Sequence, residues 1–247
     1  MKDFYESRYD ISLTRRMPVI LRLDGKAMHS FTKGFERPYD NLFHSAMNKT
    51  LQYLCQNIQG CKFGYTQSDE ISLLLVDFEN LDSDAWFDYR VQKVSSVAAG
   101  MATLAFNKFF ARGFKTLPFS VEANMSEQQY KIYQKAIETG AVFDCRCFNI
   151  PREDVTNYFV WRQQDATKNA IQMLGQCHFS HKELQNKSGS MIQDMLFQQK
   201  GINFNDMPVE FKRGVACKRI DGRWAIDMNM PIITQDRNYV ELMIPTI

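Results

Sequence analysis

The chain has 247 residues, 45% of them hydrophobic and 23% charged, with a formal net charge of +2. That is the balance of an ordinary globular chain with enough apolar material for a sizeable core, and the net charge is too small to announce a nucleic-acid binder, so any basic surface has to be local. The six cysteines form no C-x-x-C pair and no apolar stretch reaches ~18 residues, which predicts reduced thiols, a cytoplasmic location, no secretory leader and no membrane span.

Residues 3–16 read as helical or irregular, and Pro18 ends any helix there. Residues 19–25, VILRLDG, alternate apolar and polar as a strand does, and Asp24-Gly25 closes it. Residues 31–40 are a loop of charged and turn-forming residues, with Asp40 as N-cap of the next segment. Leu42, Phe43, Ala46, Met47, Thr50, Leu51 and Leu54 then recur at helical spacing. Gly60 stops that helix, and KFGYTQSDEISLLLV reads as strand, tight turn, strand. A long helix is expected from Asp84 to about Arg112, with Val91, Val94, Ala98, Met101, Leu104, Ala105 and Phe109 on its apolar face. FSVEAN (119–124) reads as a short strand. A helix capped by Ser126 and closed by Gly140 follows, and then the strand AVFDCRCFNI. Pro151 suits the first turn of a helix over about 152–175. One more helix is expected near 189–199, and a hairpin around Asp221-Gly222, since that pair supplies the positive φ of a two-residue turn. The order predicts an α+β sheet with helices packed on one face. Residues 1–150 read as one layered unit. Residues 151–247 read as a helical and hairpin portion that completes it, without a linker between.

Residues 64–76, GYTQSDEISLLLV, set two adjacent carboxylates at the start of an apolar strand. If that strand neighbours residues 19–25, then Asp24, Asp69 and Glu70 share one edge of the sheet. Three carboxylates there would repel one another unless a hard cation intervened. Magnesium takes oxygen ligands and is often held by one or two carboxylates plus substrate phosphates. Two such ions could clamp the attacking and leaving oxygens of a phosphoryl transfer. Gly25 would let backbone approach an ion or phosphate. Asp-Gly and Ser-Asp are also everyday turn pairs, so spacing alone favours solvated strand-end acids over a metal site.

The segment RLDGKAMHSFTKGFERPYD followed by YTQSDEISLLL resembles the tRNA-histidine guanylyltransferase family and its wider relatives, the Thg1-like proteins. Similarity continues through WFDYRVQK (86–93), YFVWRQQDATKN (158–169) and MPVEFKRGV (207–215), and so spans most of the chain. The resemblance implies a polymerase-palm-like antiparallel sheet and nucleotide addition in the 3′-to-5′ direction, with tRNA and ATP, GTP or other NTPs as partners, two Mg2+ ions as cofactors and a homotetrameric assembly. Carried over residue by residue, it makes Asp24, Asp69 and Glu70 the catalytic acids. Asp24, Asp69 and the Gly25 carbonyl become the metal ligands. Gly25, Lys26, Ala27, Met28, His29 and Ser68 become the nucleotide-binding turn, which agrees with consecutive N–H groups forming an anion nest. Arg37 stands where the family has a basic residue before proline, facing the triphosphate or the RNA 5′ end. Arg90 and Lys93, three apart on a helix and hence on one face, are expected to face phosphates, with Asn169, Lys187, Lys212 and Arg213 as further RNA contacts.

There is one departure. Enzymes specialised for histidine tRNA carry His-Ile-Asn-Asn after the Trp-Arg-Gln segment, whereas here Thr167-Lys168-Asn169-Ala170 occupies that place and only Asn169 survives. The resemblance therefore implies the Thg1-like branch, whose members extend a 5′-truncated tRNA by copying the facing strand. Activation of the 5′ phosphate by ATP or GTP would precede attack by the 3′-hydroxyl of the incoming NTP. The alternatives are a histidine-tRNA guanylyltransferase, a palm-type nucleotidyl cyclase that shares the acids but needs no tRNA, and a non-catalytic RNA binder.

Overall fold

A computed structural model describes residues 1–117 and 125–245. The elements are β1 (Val19–Gly25), α1 (Met28–Phe31), α2 (Asn41–Asn57), β2 (Cys61–Gln67), β3 (Glu70–Leu75), α3 (Val91–Lys115), α4 (Glu127–Thr139), β4 (Phe143–Asn149), α5 (Arg152–His178), α6 (His181–Leu184), α7 (Gly189–Lys200), α8 (Val209–Arg213), β5 (Val215–Ile220), β6 (Arg223–Asp227) and α9 (Asn238–Glu241). The strands form one sheet in the order β4-β1-β3-β2-β5-β6, and every neighbouring pair is antiparallel. The α+β class and the antiparallel sheet are as expected. FSVEAN lies outside the described residues.

Local signals account for most boundaries. Asp40 Oδ1 accepts from the Phe43 N–H at 2.8 Å and starts α2. Ser126 Oγ accepts from Gln129 N–H and starts α4. Asp221 and Gly222 both have positive φ, as a tight hairpin turn needs. The long helix departs from expectation at its start. Phe87, Asp88 and Tyr89 have positive φ, so the chain turns before it can enter the helix, and α3 begins only at Val91. On that helix Leu104 is exposed rather than part of the buried face.

The sheet is covered on both faces, which corrects the expectation of helices on one. Alternation along the strands divides the core. Val19, Leu21, Leu23, Ile71, Leu73 and Leu75 point to α2, α3 and α4. Ile20, Leu74, Phe63 and Tyr65 point to Val155, Tyr158, Phe159 and Ala166 of α5 and to the C-terminal segment around Val240. Helix α5 is therefore the second layer of the structure. Its distal half continues past the sheet, where Ala170, Ile171 and Leu174 pack with Ile192 and Leu196 of α7. That overhang is what makes room for a cleft at the end of the sheet.

Candidate active site

In the register of β1 and β3, Asp24 lies directly opposite Glu70. Asp69 is the second residue of the two-residue turn joining β2 to β3, and Ser68 before it takes a positive φ. The sheet thus brings Asp24, Asp69 and Glu70 to one edge. Burial pushes the Asp69 carboxyl up, and the Asp24 charge pushes the same way. Gly25 makes the close approach possible: a Cβ there would sit 3.1 Å from Asp69 Cβ and 3.2 Å from its Oδ2.

Glu70 has a different environment from the other two. Arg162 Nε is 2.7 Å from Oε1 and Arg22 Nε is 3.3 Å from Oε2. Neither Nε–H is aligned for a hydrogen bond, so these are charge contacts. Arg162 also holds Asp165 at 2.9 Å. Burial raises the Glu70 carboxyl, and both arginines oppose the rise. Glu70 is thus committed to two cations, while among the described residues no cation pairs with Asp24 or Asp69.

Among the described residues no group of three or more His, Cys, Asp or Glu side chains converges as a ready-made metal cage. Magnesium keeps water and takes one or two carboxylates together with substrate phosphates. The Asp24 and Asp69 carboxylate oxygens fit such an ion, with the Met28 methyl lying over Gly25, 2.2 Å from where a Cβ would stand.

Beside Asp69 opens a cleft of about 440 Å³ lined by Met28, His29, Arg37, Ser68 and Asp69 from the sheet end, and by Asn169, Gln172 and Gln176 of α5. The Lys26 N–H is engaged by Val142 O at 2.8 Å. Ala27 takes a left-handed conformation, and α1 starts after it, so the following amides are first-turn donors without intrahelical acceptors. The turn from Ala27 to His29 therefore offers N–H groups toward the cleft. Its far wall is aromatic: Tyr39 stacks on Phe211 at 4.1 Å, and His44 meets Phe211 edge-on at 4.7 Å. Tyr39 Oη is buried with no hydrogen-bond partner.

Burial holds His44 down at about 4. The folded state therefore refuses a proton that the unfolded chain accepts near pH 6.5, and stability is lost as pH falls through that window. Between pH 7 and pH 5 this group should account for a loss of about 1–2 kcal/mol. Denaturant titrations of the wild type and His44→Gln at both pH values check this. The variant should show the shallower slope, and equal slopes would assign the loss elsewhere.

Not all of the residues expected at the site are assembled there. Arg37 and Asn169 line the cleft. Arg90 and Lys93 do not. Arg90 precedes α3 rather than lying on it, and pairs with Asp10 at 3.5 Å. Cys147 Sγ donates to Val91 O and the Phe143 N–H donates to Thr103 Oγ1, so the start of α3 lies at the Val19 end of β1, about 18 Å along the helix from the Gly25 end. Lys93 Nζ instead sits over the Phe87 ring. Lys212 is buried and its ammonium donates to Asn205 O, which takes it out of reach of a phosphate. Lys187 lies in the turn before α7 and Arg213 ends α8; neither lines the cleft. Conversely, sequence reasoning did not single out Tyr39, Phe211, Arg22, Arg162 or the extension of the Asn169 stripe along α5 to Gln172 and Gln176. That stripe was legible: Asn169, Gln172 and Gln176 fall at helical spacing on one polar face.

Residues 1–151 match the family model described as Thg1, tRNAHis guanylyltransferase. Among curated proteins, an uncharacterised protein of Acanthamoeba polyphaga mimivirus is 25% identical over 87% of this chain and 74% of its own length. The tRNA(His) guanylyltransferase of Saccharomyces cerevisiae is 27% identical over 81% of this chain and 82% of its own. Among solved structures, a bacterial tRNA(His) guanylyltransferase (Thg1)-like protein in complex with ATP is 41% identical with a TM-score of 0.86, covering 98% of this chain and 96% of that one. A second such structure, in complex with GTP, is 36% identical with a TM-score of 0.76 over the same shares. Fold, site geometry and family match agree, and the chain belongs to the Thg1 family of tRNAHis guanylyltransferases, which are nucleotidyltransferases.

Proposed function

We propose that this protein adds nucleotides in the 3′-to-5′ direction to the 5′ end of a tRNA, copying the facing strand, and so repairs 5′-truncated tRNA. The observation that carries the reading is the meeting of Asp24 and Asp69 at a sheet edge, with neither paired to a cation among the described residues, beside a nucleotide-sized cleft. The solved relatives in complex with ATP and GTP support a triphosphate as the cleft's occupant. The Thr167-Lys168-Asn169-Ala170 sequence supports repair over histidine-tRNA specialisation. On this reading residues 1–150 carry the catalytic edge and residues 151–247 complete the unit, which works as a homotetramer.

The reaction has two displacements. The RNA 5′ phosphate attacks the α-phosphorus of ATP or GTP, forming a phosphoanhydride and releasing pyrophosphate. The 3′-hydroxyl of the incoming NTP then attacks the 5′ phosphorus, forming a phosphodiester and releasing the mononucleotide. Magnesium, when bound, acidifies the attacking hydroxyl and neutralises charge on the phosphates. Asp24, Asp69 and the Gly25 carbonyl would hold it. The amides of Ala27, Met28 and His29, with the Ser68 hydroxyl and the His29 ring, orient the triphosphate by donating to its oxygens. Lys26 and Arg37 contribute charge at the mouth. Glu70 is tied to Arg162 and Arg22 and fixes the floor beside the acids. Positioning and charge do the work, as in phosphoryl transfer generally.

The experiment is a labelled tRNA lacking its first nucleotide, incubated with magnesium and each NTP in turn. Incorporation that follows the facing base supports the reading. Addition of guanosine to intact histidine tRNA regardless of the facing base would favour the guanylyltransferase alternative. A cyclic product from ATP or GTP alone, with no incorporation, would overturn both.

A further inference from the structure

The acid edge has a second side. Strand alternation sets Arg22 and Asp24 of β1, Glu70 and Ser72 of β3, and Asp144 and Arg146 of β4 on the face covered by α5, as the contact of Ser72 Oγ with Tyr158 Oη at 2.8 Å shows. Helix α5 crosses this face toward the acids, meets Glu70 through Arg162, and continues into the cleft wall at Asn169. One turn after Tyr158 it presents Trp161.

Trp161 is 49% exposed, whereas Trp86 is buried at 7%. Its ring has Arg162 over it at 4.2 Å, Arg22 at 5.8 Å, and the Tyr158 ring edge-on at 5.8 Å. A large indole held by a neighbouring ring and cations, yet half open to water, is a platform with a free surface. Across β1 and β4, Arg22 stands directly opposite Arg146. Like charges in that register are unfavourable. Arg22 is offset by Glu70, but Arg146 is 58% exposed with only Asp144 at 4.0 Å. Arg22 lies two residues from Asp24 on the same face, about 7 Å away.

We infer that this face seats the RNA end: Trp161 stacks on the 5′-terminal base and Arg146 meets a backbone phosphate. The inference rests on the reading of function above and deepens it. The triphosphate would approach the acids from the cleft, and the RNA from the β1–β4 side, with α5 contributing to both. Stacking on aromatic side chains beside arginine is how single-stranded ends are held without sequence preference. An enzyme that must accept any terminal base needs that kind of contact.

The test measures binding and turnover with a labelled tRNA transcript lacking its first nucleotide, carrying either a normal or an abasic new 5′ end. Trp161→Leu should weaken RNA binding and raise the KM for RNA about 5- to 50-fold, leaving the KM for NTP unchanged. Trp161→Phe should recover most of the loss. An abasic end should penalise the wild type by a similar factor and Trp161→Leu hardly at all. Arg146→Ala should lower the salt dependence of RNA binding by about one counterion. Unchanged RNA affinity in Trp161→Leu, or an abasic penalty equal in both proteins, overturns the inference. Binding is read without turnover. Wild-type RNA binding sensitive to Trp161 but without incorporation would sink the functional reading alone, and incorporation indifferent to Trp161 would sink only the inference.

Discussion

Asp69→Asn should lower nucleotide incorporation into a 5′-truncated tRNA by about 10³-fold or more, with Asp24→Asn giving a loss of the same order. Both substitutions keep the side-chain volume, so the β2–β3 turn and the sheet should survive and circular dichroism should match the wild type. The argument is electrostatic. Burial and the nearby Asp24 charge raise the Asp69 carboxyl, and a divalent cation seated at these acids would offset that cost. On the proposed reading, removing one carboxylate takes away half of the side-chain anchor of the ion that would hold the triphosphate. The loss should fall on turnover more than on RNA affinity, because the RNA face is built from other residues. An Asp69→Asn protein that incorporates at the wild-type rate would show that these acids are solvated turn residues.

The second large effect is on stability. Arg162→Met should destabilise the protein by about 2–4 kcal/mol, because it leaves the largely covered Glu70, 16% exposed, with Arg22 alone. For a chain of this size that corresponds to a fall in Tm of about 5–15 °C. The double variant Arg162→Met/Glu70→Gln should recover a substantial part, since the cost comes chiefly from an uncompensated charge and not from the lost contact. Thermal melts of the two single variants and the double variant read this directly. If the double variant is less stable than Arg162→Met, the ion pair is not the source of the loss, and the packing of the guanidinium on Trp161 is.

Features set by neighbours in sequence were legible without the structure. The strand VILRLDG, the Asp40 and Ser126 caps and the Asp221-Gly222 hairpin each depend on a few adjacent residues, and each stands as expected. The start of α3 was not legible in that way. Asp84 is a good cap in isolation, but the left-handed run from Phe87 to Tyr89 delays the helix to Val91. Arg90 and Lys93 carry the right charges for phosphate, yet the direction in which α3 lies along β4 sets them at the wrong end of β1. Lys212 sits in a basic pair, but the packing of α8 turns its ammonium inward to a carbonyl.

By itself the sequence determined that Asp24 and Asp69 stand at strand ends, with Gly25 beside them, because turn chemistry and strand alternation act over a handful of residues. Only the tertiary structure decided that Glu70 belongs to Arg22 and Arg162, that α5 covers the second face, and that Trp161 stands half open against those two arginines. The physical reason is separation along the chain: Glu70 and Arg162 are 92 residues apart, and charge pairing and burial at such distances follow from how helices lie on a sheet.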